Sequence, residues 1–279
     1  MKRGALLLPG ALAAMLAGPL PPARQPGGVV LQLRPRVGDT LHLRLDQTVE
    51  MTGTIHAGVS ESTTTESSTL VVLTRLVIEA ADTTSATVVA ITDSVRVSGS
   101  PNSSSGSLLQ WTKAIEGRRF RFRVAADGST TISGGEAGGT ASVGSMIAQL
   151  PATLPRRPIV PGATWTSATD ISLLGAADSK GTAKLTATFR FDSLSRSGEL
   201  AFLSVRGRLT REPPEQRGKR TDAVQTSGTL TGQVLVDRRR GWITDARTTM
   251  AMRSLVIPAD ASKPPMRVRM TISQWVRAM

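Results

Sequence analysis

His42 and His56 are the only two histidines of the chain, and any acid–base or metal chemistry would have to begin with them. A metal site gathers three or four ligands, usually His with Cys or carboxylates. The chain has no Cys, and His42 shares its strand face with Arg44 and Asp46. A catalytic base needs an orienting partner and a nucleophile within reach. Serine is abundant, yet no Gly-x-Ser-x-Gly elbow occurs; Gly144-Ser145-Met146 lacks the second glycine. Asp82, Asp93, Asp127, Asp170, Asp178 and Asp192 are scattered, mostly at turns. A glycosidase pair could still converge in space. Aromatic residues that would stack a sugar make up only 3% of the chain. Gly134 to Gly139 is glycine-rich but lacks the Lys-Ser/Thr ending of a phosphate loop. These residues name no catalytic centre, no metal site and no cofactor, and the chain reads as non-enzymatic.

The positive signal is charge. Lys and Arg number 34 against 21 Asp and Glu, a formal net charge of +13. Arg119, Arg121 and Arg123 form an alternating ladder, Arg238, Arg239 and Arg240 a run, and Arg267 and Arg269 a further alternating pair. Together they are the candidate surface for an anionic partner such as anionic lipid, lipopolysaccharide or acidic polysaccharide. The alternative is a solvated, compositionally Arg-rich sheet face. Nucleic acid is not expected, because single-strand binding normally adds stacking aromatics and Tyr is absent. A second candidate site is apolar. Phe120, Phe122, Phe189, Phe191, Met266 and Met270 fall on faces read as inward. Methionine adapts to variable apolar ligands. The alternative is that these side chains fill a core short of aromatics.

The elements that must position these residues are strands. Leu41, Leu43, Leu45, Val49 and Met51 alternate with polar residues, the period of a strand with one face buried. Phe120, Phe122 and Val124 alternate with the arginine ladder, and Asp127-Gly128 supplies a tight hairpin turn. Gly58 to Thr69 is polar and reads as a loop or as the tip of a long hairpin. Lys184 to Phe191, Leu200 to Leu209, Thr229 to Asp237, Trp242 to Ile257 and Met266 to Val276 read as further strands. Arg-rich edge strands would resist edge-to-edge association. One short helix is expected over Val143 to Leu150, capped by Ser142 and stopped by Pro151. The expected fold is all-β and mainly antiparallel: two similar β-meander halves forming an open barrel or sandwich, with that helix between them.

The amino terminus has a basic start, a short apolar run and small residues after it, the layout of a secretory signal peptide. The expected divisions are a signal peptide at 1–23, a mobile leader at 24–35, a first β half at 36–150 and a second at 151–279. No Cys follows the apolar run, which argues against a lipid anchor, and no later stretch resembles a membrane helix. The mature chain is expected to be periplasmic or secreted.

The segment Leu150 to Trp165 (a short helix, Leu-Pro, then Pro-Ile-Val-x-Gly-x-Thr-Trp) resembles a bacterial family of exported β-rich proteins of unknown function. In that family a Val-Gly-Asp-Thr segment opens each half and a Gly-x-Phe…Asp-Gly hairpin closes the first. Here the matching positions are Val37 to Thr40, Gly162 to Trp165 and Gly117 to Gly128, with Ala163 where the family has Asp. The resemblance spans most of residues 30–277 and brings no catalytic residues. It implies a two-half envelope protein similar in shape to the half-barrels of periplasmic lipoprotein carriers. Two functions follow as expectations: binding of an apolar or anionic lipid-like ligand, or a structural or interaction role with a filled core.

Overall fold

The computed structural model describes residues 27–57, 60–99, 115–135, 154–172, 182–211, 223–260 and 262–279. The expected signal peptide and the expected helix at Val143 to Leu150 lie outside them. Eleven strands account for the fold: β1 (Thr40–Ala57), β2 (Ser60–Ala81), β3 (Ser85–Gly99), β4 (Arg119–Ala125), β5 (Thr130–Gly135), β6 (Thr164–Ser172), β7 (Thr182–Leu194), β8 (Leu200–Arg211), β9 (Ala223–Asp237), β10 (Trp242–Ile257) and β11 (Met266–Ala278). They form one antiparallel sheet in the order β5-β4-β3-β2-β1-β11-β10-β9-β8-β7-β6. Two meanders therefore meet where the first strand pairs with the last, Leu43 opposite Ala278 through Ile55 opposite Met266. The sheet does not close, and β5 and β6 are its edges.

The two Gly-x-Thr segments are structural twins. Asp39 N donates to Arg36 O (3.0 Å), and Ala163 N donates to Val160 O (3.0 Å). Each turn places glycine at its third position, Gly38 at φ 86° and Gly162 at φ 90°. That is the left-handed residue a type II turn requires, with Pro161 at the favoured preceding position of the second. Gly38 N then donates to Ile78 O while Ile78 N donates to Asp39 O, both at 3.0 Å. Gly162 N donates to Phe191 O (2.7 Å) and Phe191 N to Ala163 O (2.9 Å), the same ring at the head of the second half.

The leader is ordered from Val29 onward, contrary to the mobile segment expected over 24–35. Val29 and Ile159 exchange backbone hydrogen bonds of 2.7 and 2.9 Å. Leu33 N donates to Ala126 O (2.8 Å) and Arg34 N to Gly241 O (2.9 Å). Leu31 is wholly buried. The physical reason is the Val29, Leu31, Leu33 alternation, which gives the leader an apolar edge worth burying. Gly241 has φ 63°, and a Cβ there would lie 2.4 Å from the Arg34 carbonyl oxygen. Only glycine lets the leader approach this turn so closely.

The core has two parts. One draws on both halves, placing Leu31, Leu76, Val88, Phe120 and Phe122 with Phe191, Leu203, Val236 and Trp242. The other belongs to the second half, with Leu185, Phe189, Val205, Leu209, Leu230 and Met252. Gln47, Gln274 and Thr248 stand opposite one another across β1, β11 and β10. The Gln47 Oε1 is buried without a hydrogen-bond partner.

Of the two readings of the polar stretch, the long hairpin is the one found: Ser60 to Thr69 is not a loop but the start of the 22-residue β2, paired across to β1. Thr52 Oγ1 lies 3.2 Å from Thr65 Oγ1, and Thr54 Oγ1 lies 3.3 Å from Thr63 Oγ1. The expected Arg-rich edges are not found. β5 (TTISGG) and β6 (TWTSATDIS) contain no arginine, and the arginine ladder of β4 lies one strand inside. β5 is only six residues long, which limits what can pair with that edge.

Asp127 ties the β4–β5 turn to the start of the second half. Its carboxylate accepts from the Ser129 hydroxyl (2.6 Å), the Ser129 amide (3.1 Å) and Arg156 (2.9 Å), and its carbonyl accepts from Leu154 N. Partial burial pushes this carboxyl up, but the Ser129 and Arg156 contacts outweigh it and hold it below its ordinary value. A depressed carboxylate stabilises the fold above the unfolded value, about 3.9, and loses that contribution as pH falls through the folded one. Asp127→Asn should lower the thermal midpoint at pH 7 by about 2–4 °C. The gap to wild type should narrow as the pH falls below about 3.9 and close once it has passed through the lower folded value. Melting curves at neutral and acid pH check this; a gap that persists in acid would assign the effect to packing.

Candidate functional site

The alternation puts the predicted side chains on the two opposite faces of the sheet. Phe120, Phe122, Phe189 and Phe191 all point into the core, none more than 5% exposed. They do not line a common space: Phe120, Phe122 and Phe191 belong to the shared cluster and Phe189 to the other. Phe189 stacks on Trp165 at 5.7 Å between ring centroids. Met266 and Met270 differ in being half-buried, and Met270 packs against the cluster that holds Phe189. Met270 faces Met51 on one side and Met252 on the other, and Met266 faces Ile55 and Val256. Met51 and Ile55 are exposed. The six residues of the candidate apolar face thus divide into four in the core, Met270 against the margin of that core, and Met266 beside the exposed Ile55 on a half-open wall.

The candidate anionic-partner arginines do not share one surface. Arg119, Arg121 and Arg123 are exposed on β4, with three strands between them and Arg267 and Arg269 on β11. Arg238, Arg239 and Arg240 form the β9–β10 turn, at the end of β10 remote from Met266. The β4 ladder is also largely neutralised. Arg121 pairs with Glu79 at 2.8 Å and Arg123 with Asp82 at 3.1 Å. Asp82 is held far below its ordinary value, chiefly by the Thr84 hydroxyl and then by the Thr84 and Ser85 amides. Arg238 donates to the Gly198 carbonyl, and Arg240 lies 3.7 Å from Asp237. Arg269 stands opposite Arg253, a like-charged cross-strand pair that leaves net positive charge there.

A groove of about 710 Å³ on the outer face of β6, β7 and β8 escaped the sequence reading. Its floor is Arg206 and Arg208, two residues apart on β8. Thr188 and Thr231 flank Arg206, and Thr186 and Thr229 flank Arg208, on the neighbouring strands. Neither arginine has an ion pair or hydrogen bond among the described residues. Arg190 stands opposite Ser204 at one end. A bulge between Phe191 and Ser193 turns Asp192 towards Ser204 (3.2 Å) and Arg190 (3.8 Å). Phe202 continues the outward column of β8 and is 42% exposed. The available signal was the alternation of Leu200 to Arg211, which assigns Phe202, Ser204, Arg206 and Arg208 to one face. Runs of arginine drew attention instead, although pairing state decides which guanidinium groups are available.

A second outer cluster surrounds Trp275. Arg247 and Arg277 lie over its ring at 4.2 and 4.0 Å, and its indole N–H donates to Asp245 (2.8 Å). Asp46 bonds Arg44 (2.7 Å) and lies 3.8 Å from Arg277. Two guanidinium groups already stack on the indole, so the cluster locks β1, β10 and β11 together rather than offering a ring to a ligand. His42 is exposed on β1 opposite Arg75. No group of three His, Cys, Asp or Glu converges among the described residues.

The wall is apolar inside and polar outside, the reverse of a membrane-spanning barrel, whose lipid-facing residues are apolar. Among the described residues no helix is long and apolar enough to cross a membrane. No family model and no curated protein matches the chain. Among solved structures, an outer membrane channel from Pseudomonas putida F1 is similar at a TM-score of 0.20 and 11% sequence identity, over 88% of this chain and 96% of the channel. A TM-score that low carries no argument about fold or function.

Proposed function

We propose that the chain is an exported, non-catalytic β-rich protein of the cell envelope that works by interaction, with a filled core and its outer face as the working surface. The observation that supports this reading is the burial of Phe120, Phe122, Phe189 and Phe191 to 5% exposure or less, while two grooves among the described residues open on the polar outer face. The basic start and apolar run of residues 1–18 support export, and the two-half resemblance supports the envelope. A second reading, an apolar or anionic lipid-like ligand held inside, draws on the half-open wall of Met51, Ile55, Met266 and Met270.

Native mass spectrometry of protein purified from its own host separates the two, with the amino terminus sequenced on the same sample. The expected result is an apo mass and a chain that starts beyond Gly18. Met270→Arg should leave that apo mass unchanged, while lowering the melting temperature because Met270 packs against the cluster that holds Met252. Co-purifying acyl lipid that is lost in Met270→Arg would overturn the filled-core reading in favour of the carrier. An intact Met1 on a cytoplasmic chain would overturn export.

A further inference from the structure

Charge on this protein is abundant, and part of it is internally answered. The β4 ladder faces Glu79 and Asp82, Arg75 pairs with Asp93 at 2.9 Å, and Arg44 with Asp46. Arg206 and Arg208 have no such partner among the described residues, and they lie side by side in a recess. Their neighbours across both strands are threonines, so the floor offers guanidinium and hydroxyl groups together. Asp192, the acid nearest the groove's end, is occupied by Ser204 and Arg190.

We infer that this groove binds an acidic polysaccharide, a deeper reading that rests on the outer face being the working surface. Three features choose this ligand class. Guanidinium groups pair carboxylates in a planar, often bidentate fashion. On one strand face Arg206 and Arg208 repeat every roughly 6.6 Å, so they suit an extended chain carrying more than one anionic group rather than a single ion. The Thr186 hydroxyl can donate to and accept from a sugar hydroxyl, and Ser204, whose proton goes to Asp192, keeps lone pairs that can accept from one. Phe202, the one aromatic among the exposed large hydrophobic side chains, stands two residues from Ser204 on the same face. Its ring offers an apolar plane for a sugar's C–H face. A nucleic-acid strand would need several such platforms in series, and the groove lining has none. A membrane surface would need inserting apolar residues around the basic floor, where this groove has threonine.

The test uses the whole mature chain immobilised against soluble polygalacturonate, neutral dextran and inorganic polyphosphate, at low and physiological salt. Polygalacturonate should bind in a salt-sensitive manner and dextran should not. Arg206→Ser with Arg208→Ser should weaken polygalacturonate binding by about tenfold or more, from the lost charge-assisted hydrogen bonds. Arg96→Ser with Arg157→Ser removes the same charge elsewhere and should change binding less than about twofold. Phe202→Ala should weaken polygalacturonate binding by about threefold and leave any polyphosphate binding unchanged. Circular dichroism of each variant shows that the sheet is intact, since all these side chains are exposed. Equal losses from the two arginine pairs would reduce the effect to bulk charge and overturn the site. Tighter binding of polyphosphate, indifferent to Phe202, would overturn the ligand class. No binding by a preparation whose native mass is apo would end the inference while leaving the filled-core reading standing; a lipid-loaded mass would remove both.

Discussion

Phe191→Ala should destabilise the protein by about 3–5 kcal/mol, the range for truncating a fully buried aromatic. Phe191 is 0% exposed, and its backbone also closes the ring with Gly162 and Ala163 that opens the second half. Its side chain packs in the cluster that draws on both meanders, so the cavity would lie between them. Neighbours anchored in hydrogen-bonded strands cannot collapse into that space cheaply. Phe202→Ala removes the same atoms from the opposite face and should cost less than about 0.5 kcal/mol. Urea titration of both variants measures the contrast. Equal midpoints for the two would mean that the inner face is loosely packed, and the filled core would have to be abandoned.

The second large effect is expected on separating the halves. Residues 27–153 and 154–279, expressed apart, should each be insoluble, and together they should form a soluble complex. The reason is the seam: β1 and β11 pair along 13 residues, so division exposes two long hydrogen-bonding edges. It also splits the shared cluster, leaving Leu76, Val88 and Phe122 without Phe191, Leu203 and Val236. The leader would lose its bonds from Val29 to Ile159 and from Arg34 to Gly241. Separate expression, co-expression and circular dichroism of the soluble fractions decide the matter. A half that folds alone, with cooperative melting, would make it an independent domain.

Legibility followed the periodicity. Alternation in Arg119 to Val124 assigned each side chain to its face correctly, and burial of the three apolar residues beside the three exposed arginines agrees residue by residue. The turn glycines were equally readable: Gly38, Gly162, Gly128 and Gly241 all take positive φ. Polar alternation was harder. Ser60 to Thr69 carries few apolar residues to mark a face, and its strand is held by pairing with β1. The leader was misjudged because Pro and Gly dominate its first part, while Leu31 and Leu33 find their burial only against distant turns.

Taken alone, the sequence determined the all-β class, the inward and outward set of the strands with apolar alternation, the twin turns at Gly38 and Gly162, and the surplus of positive charge. These depend on neighbours within a few residues, through backbone sterics and the two-residue period of a strand. Only the tertiary structure decided that β1 would join β11, that β5 and β6 would be the edges, and that Phe120 would share a core with Phe191. It also decided which arginines are answered by acids, as Arg121 is by Glu79 across the sheet, and which, like Arg206 and Arg208, lie beside threonines. Strand order and cross-strand register bring together residues far apart in the chain, and an alternating pattern is compatible with many such pairings until packing selects one.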